Sequence, residues 1–183
     1  MLQVVIPSHE YYDEAKNEFI TVKSQVLQLE HSLVSISKWE SKWNKPFLSK
    51  EKKTVEEFLD YVRCMTLTQN VNPMVYKNIN DKIAKEIMAY IEAPMTATWF
   101  NEVNGPQRRS SEVITSELVY YWMVALQIPF ECQKWHFNRL MTLIRICNIK
   151  NTPKKNNRMS KSDILSRNAA LNAARRKSMG STG

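Results

Sequence analysis

The spacing of apolar residues changes period at Ser32, and that change limits what the chain can build. Before it, "LQVVIP" (Leu2–Pro7) is a short β-rich run closed by proline. "EFITVKSQVLQLE" (Glu18–Glu30) begins with β-branched residues and then alternates: Val22, Ser24, Val26, Gln28 and Glu30 share one face, and Lys23, Gln25, Leu27 and Leu29 the other. Period two and β-branching predict strands. The polar stretch "YYDEAKN" between the two runs predicts a turn region, so the first 31 residues read as a small antiparallel β-hairpin region.

From Ser32 onward the apolar residues recur at three and four. Leu33, Ile36, Trp39 and Trp43 mark one amphipathic helix, which Pro46 ends. Thr54-x-x-Glu57 is a capping box in which hydroxyl and carboxylate satisfy orphan amides reciprocally, and it opens a helix with the stripe Val55, Phe58/Leu59, Val62 and Met65. A third helix runs from Asn80 or Asp81 to Ile91, before Pro94. Asn104 to Arg109 reads as a loop around Gly105-Pro106. Ser110 or Ser111 then caps "EVITSELVYYWMVALQ", apolar on most of its circumference and therefore expected at the centre of the core until Pro129 breaks it. The segment 130–147 is predicted as a last core helix. The expected fold is mainly α: a helical core domain of about five helices over 32–149, fronted by the β-hairpin region over 1–31. A basic C-terminal tail over 150–183 carries one further short helix.

Glycine and charge exclude several functions. The 183 residues include three glycines, all at or beyond position 105, too few and too late for a dinucleotide or P-loop phosphate cradle. Net charge is +8, yet nine of the 26 basic residues and one of the 18 acidic ones lie in 150–183, which leaves 17 of each in the first 149. A neutral body with a basic tail is not a domain built around a nucleic-acid groove; the tail alone can seek phosphates or an acidic protein. No aromatic follows Cys147, so the tail has no base-stacking platform and nucleic acid is an unfavoured partner. No apolar run reaches the roughly 20 residues that cross a bilayer, and the N-terminus carries no signal-peptide pattern. No membrane role is expected.

Three places bear residues that could do chemistry or recognition. On a continuous helix over 130–147, Cys132 and His136 would share a face with Leu140, Leu143 and Cys147, the spacing of two metal ligands. Nothing nearby completes a ligand set, and a Cys–His nucleophile pair lacks an oxyanion hole, so the stretch reads as packing, with no catalytic residue, metal or cofactor assigned. Trp39 and Trp43 sit at i and i+4. They suit a core position or, where exposed, a partner-binding patch. The basic residues Lys154, Lys155, Arg158, Arg167, Arg175, Arg176 and Lys177 make the tail the other partner-binding candidate. Ser160 and Asp163 form a prospective capping box for its helix, with Ile164, Leu165 and Leu171 on one face and Gly180 as the stop.

The strings "LQLEHSLVSISKWESKWNKPFL", "EAPMTATWF", "IPFECQKWHFNRLMTLIRICNIKN" and "LNAARRKSMGSTG" resemble proteins of tailed-bacteriophage tail-gene clusters, in particular tail assembly chaperones encoded ahead of the tape-measure gene. The resemblance runs from about residue 27 to the end and rests on strings without known chemistry. It implies a non-enzymatic binder in the host cytoplasm that coats the tape-measure protein and helps recruit tail-tube subunits, often made in a second, frameshifted form; self-association is compatible with that role. A minor tail or head–tail structural protein, or a nucleic-acid binder acting through the tail, are the alternative readings.

Overall fold

The computed structural model describes residues 1–13, 17–100, 113–152 and 161–180. The chain divides into two compact units, 1–149 and 150–183.

In the first unit the N-terminal strands form one long antiparallel ribbon with a break in the middle. β1 (Leu2–Ile6) pairs with β4 (Gln25–Leu29), and β2 (His9–Asp13) pairs with β3 (Glu18–Val22). The register does not change across the break: Ile6 faces Gln25 and His9 faces Val22. Only two residues on each arm, Pro7–Ser8 and Lys23–Ser24, leave the ladder, where proline has no N–H to give. The body-facing positions do change. On β1 they are Val4 and Ile6, whereas on the outer ribbon Tyr11 and Val22 pack inward and Tyr12 and Phe19 point outward. Of the turn expected over 11–17, Tyr11–Asp13 are strand, because Tyr11 and Tyr12 pair with Ile20 and Phe19, Asn17 is in a turn, and residues 14–16 lie outside the described residues.

The outer edge of β4 is covered by the chain at 65–67. Glu30 N–H donates to Met65 O at 2.9 Å and Leu67 N–H to Gln28 O at 2.8 Å, so this edge offers no template for foreign strands.

The helices follow local signals closely where those signals are caps. α1 (Leu33–Trp43) starts at a Ser32/Ser35 capping box and ends on Asn44 in the left-handed region (φ 52°), two residues before Pro46. α2 (Val55–Met65) starts at the Thr54/Glu57 box. After a 3-10 turn at Pro73–Asn78, α3 (Asp81–Glu92) is capped by Asn80, which accepts the Ile83 N–H.

Two expectations are corrected beyond that point. α4 spans Ser116–Ala125 with Thr115 as its cap, and Val113–Thr115 are not helical; Ser110, Ser111 and the 104–109 loop lie outside the described residues. Nor is α4 buried all round: Val119 and Met123 are fully buried, while Tyr121 and Val124 are exposed. The helix stops well before Pro129, in a Schellman closure. Gln127 N–H donates to Val124 O at 3.1 Å and Ile128 N–H to Met123 O at 2.8 Å, with Gln127 left-handed at φ 55° and Met123 and Ile128 both buried.

The segment 130–147 is not one helix. Phe130–Lys134 is a 3-10 turn, Trp135 is extended (φ −69°, ψ 161°), and α5 (Phe137–Asn151) begins afterwards. The reason is non-local: Phe137 N–H donates to His31 O at 2.7 Å, and His136 bridges to Ser32, so this backbone is held by the β4–α1 junction. The core joins all these elements. Leu27, Leu29, Leu33, Ile36, Trp39, Met65, Ile87, Met123 and Leu140 are each at most 1% exposed.

The second unit contains α6 (Lys161–Met179), followed by Gly180 at φ 62°. Its expected cap Ser160 and the linker lysines Lys154 and Lys155 with Arg158 lie outside the described residues.

Candidate partner-binding surface

Cys132 and His136 are both buried, but the extended Trp135 between them removes the shared helical face that their spacing suggests. Cys132 sits in the 3-10 turn, its thiol pushed up by burial. Among the described residues no group of three His, Cys, Asp or Glu is placed to hold a metal ion.

His136 instead meets His31, a partner that nothing in the local sequence marks. The rings stand edge to face with centroids 5.1 Å apart. His31 Nδ1 lies 2.5 Å from the Tyr61 hydroxyl, and His136 Nε2 donates to the Tyr90 carbonyl at 3.0 Å. The Tyr90 hydroxyl in turn donates to Glu30 at 2.7 Å, and the Met1 amino group pairs with the same carboxylate at 3.1 Å. Burial pushes His31 down to about 3, with repulsion from His136 adding to it. Burial also lowers His136, against the Tyr90 carbonyl and Glu30, which pull the other way. Both tyrosine hydroxyls are raised by burial. The cluster is a polar knot inside the core.

Of the two tryptophans expected either in the core or, where exposed, on a partner patch, Trp39 takes the core position. It is 1% exposed, donates Nε1–H to Glu57 O at 2.9 Å and stands edge-on to Phe47, so its surface is spent inside the fold. Trp43 is half-buried. It stacks on Trp39 with centroids 6.1 Å apart and donates Nε1–H to Asp60 at 2.9 Å. Asp60 also accepts from Lys42 and lies 3.9 Å from Arg63. Burial raises the Asp60 carboxyl, but the hydrogen bonds from Lys42 and Trp43 outweigh it and the net shift is downward. The open edge of Trp43 lines a cleft of about 440 Å³ with Met74, Tyr76 and Arg63.

An apolar groove of about 600 Å³ runs between α2 and α3. Phe58 and Leu59 come from α2, Met88 and Ile91 from α3, and Tyr61 contributes from deeper in the core. Val55 at its edge is 76% exposed and Met88 is 50% exposed. Val55 was expected on the buried stripe of α2, but as the first helical residue it projects past the core. Lys52 and Lys53 lie along the groove, as do Asp81 and Glu92, so its lining carries both signs of charge. Lys53 is lowered by burial; its ammonium donates to Phe47 O at 2.6 Å and lies 4.2 Å from the Phe47 ring centre. Sequence periodicity did not reveal this groove. The one signal was Met88, an apolar residue off the Ile83, Ile87, Tyr90/Ile91 stripe.

Trp99 is 89% exposed beside a cleft of about 480 Å³ that it lines with Phe100, Met141 and Arg145. The Arg145 guanidinium lies 4.0 Å from the Phe100 ring centre.

In the second unit, Arg167, Arg175, Arg176 and Lys177 are exposed along α6. At roughly 100° per residue, Ile164 and Leu171 lie nearly in line and Leu165 about 100° from Ile164; all three are exposed. Arg176 and Lys177 occupy its last turn, where cations oppose the negative end of the helix dipole. In comparisons with known proteins, no family model, curated protein or solved structure matches the chain.

Proposed function

We propose that this chain is a non-enzymatic assembly chaperone of a phage tail, which binds the tape-measure protein in the host cytoplasm and helps recruit tail-tube subunits. The observation that carries the reading beyond its sequence resemblance is the groove between α2 and α3. It is apolar within, open at Val55 and Met88, and lined by charges of both signs. An amphipathic helix lays its apolar face into such a groove, and a long helical tape measure presents such faces repeatedly. The exposed basic helix α6 supplies a second, electrostatic contact.

Co-purification from nuclease-treated lysate with the tape-measure and tail-tube proteins of the encoding phage tests this. The full chain should retain one of them. Val55→Asp combined with Met88→Lys should lose it while keeping the native circular dichroism, and a chain ending at Thr152 should bind it more weakly. Retention of neither tail protein by the full chain overturns the reading. Presence of the chain in purified virions would instead support a structural tail or head–tail protein. Salt-sensitive DNA retention through α6 alone would support a nucleic-acid binder.

A further inference from the structure

His136 and His31 come from segments 105 residues apart in the chain and share one buried contact. The Tyr90 carbonyl can only accept, so the hydrogen of neutral His136 resides on Nε2. Its Nδ1 then carries a lone pair, is buried, and has no hydrogen-bond partner among the described residues. A second proton on that ring would create a buried N–H with no acceptor and a cation 5.1 Å from the other imidazole.

Of the titratable groups facing the pair, Glu30 offsets that charge in part, and burial outweighs it. Tyr61 arrives from α2 against His31 Nδ1, and Ser35 of α1 lies behind it at 3.3 Å. Tyr90 arrives from α3 with its carbonyl on His136 and its ring edge-on to it at 4.9 Å. The acid in the cluster is Glu30, and its two oxygens are engaged by the Tyr90 hydroxyl and the Met1 amino group. No carboxylate hydrogen-bonds either imidazole directly among the described residues. The same two histidines hold a backbone junction: Phe137 N–H donates to His31 O, Ser32 bridges to His136, and Leu140 N–H closes the first turn of α5 on His136 O.

We infer that His31 and His136 form an acid-operated latch. While both imidazoles are neutral, they hold the start of α5 against the β4–α1 junction; when they take up protons, that junction opens and the α1–α2 half of the first unit stays folded. An opened junction frees the N-terminal ribbon, whose β4 ends at this point, from the helix that closes the unit. Each proton taken up on opening multiplies the opening constant about tenfold per pH unit below the ordinary histidine value.

Hydrogen exchange of the full chain between pH 7.5 and 4.5, corrected for intrinsic rates, measures that constant at Phe137 and Leu140, with Val62 and Met65 of α2 as reporters of global unfolding. The expected wild-type result is a loss of protection at Phe137 and Leu140 steeper than tenfold per pH unit, approaching a hundredfold, with Val62 and Met65 more strongly protected than both at every pH. His136→Gln keeps the donor to Tyr90 and cannot be charged; it should reduce the slope to about tenfold, as should His31→Gln, and the double variant should remove it. Imidazole resonances of the wild type, which need no substitution, should show both rings neutral in the closed state at pH 6. Flat protection at Phe137 and Leu140, protection there equal to that of Val62 and Met65 at every pH, or a charged ring in the closed state at pH 6 would each overturn the latch.

Discussion

The carboxylate of Glu40, in α1, accepts the backbone N–H of Ser116, the first residue of α4 and 76 positions later, at 2.7 Å. Its other oxygen accepts Phe47 N–H at 2.7 Å, and the side chain is buried. One acid therefore caps a helix from outside that helix and fixes the loop after α1 at the same time. The first-turn amides of a helix have no partner within it, and the positive end of the dipole favours an anion there. Glu40→Ala leaves two buried amides unsatisfied, at about 1–3 kcal/mol each. The expected loss is about 2–5 kcal/mol in urea unfolding; a loss under about 1 kcal/mol would mean that water replaces the carboxylate. Glu40→Gln retains one oxygen acceptor and should fall between the two.

Trp39 and Trp43, four residues apart and stacked, should behave as different kinds of residue. Trp39→Ala empties a fully buried site and is expected to cost about 3–5 kcal/mol. Trp43→Phe keeps most of the stack and gives up the hydrogen bond to Asp60, a change of about 1 kcal/mol. Equal costs in denaturant titrations of the two variants would refute the placement of Trp39 inside and Trp43 at the edge.

These outcomes also show how much the sequence disclosed and why it stopped there. The Thr54/Glu57 cap was legible because it is local, within three residues of the amides it satisfies. Thr115 is equally local, but the apolar run before it pulled the expected start of α4 back to Ser110 or Ser111. The break at Trp135 was hidden because Cys132, His136 and Leu140 imitate a helical face, while the cause of the break is His31, far away in sequence. Glu40 reads as a solvated charge on an amphipathic helix until Ser116 is placed against it. The groove escaped for a related reason: a periodic stripe tells which residues face inward, and Val55 and Met88 matter because they do not.

The closure of α4 makes a backbone prediction. Gln127 sits at φ 55°, where an L side chain is strained and glycine is not. Gln127→Gly relieves that strain, offset in part by the greater freedom of the unfolded chain, and should raise stability by about 0.5–1 kcal/mol. A β-branched Gln127→Val should lower it by more than 1 kcal/mol. Thermal melts of the pair, scored against Leu126→Ala as a neighbour that leaves φ alone, check the sign.

Acid should weaken the fold in two separable stages. Glu57 is held below the usual carboxylate range by its hydrogen bond from Lys45 at 2.7 Å and by the Thr54 N–H, and Asp60 is lowered on balance by Lys42 and Trp43. A carboxylate that is more acidic in the folded state contributes stability above its unfolded value near 4, and loses that contribution as pH falls through the folded value. The histidines behave differently: they are neutral when buried, so their contribution is complete above about 6.5 and declines as pH falls, for His31 down to about 3. Urea unfolding at a series of pH values should therefore show a first decline starting near 6.5, absent from His31→Gln/His136→Gln. A second should begin near 4, reduced by Asp60→Asn and untouched by the histidine changes. A single decline confined to pH below 4 in the wild type would show that neither histidine is held neutral in the folded chain.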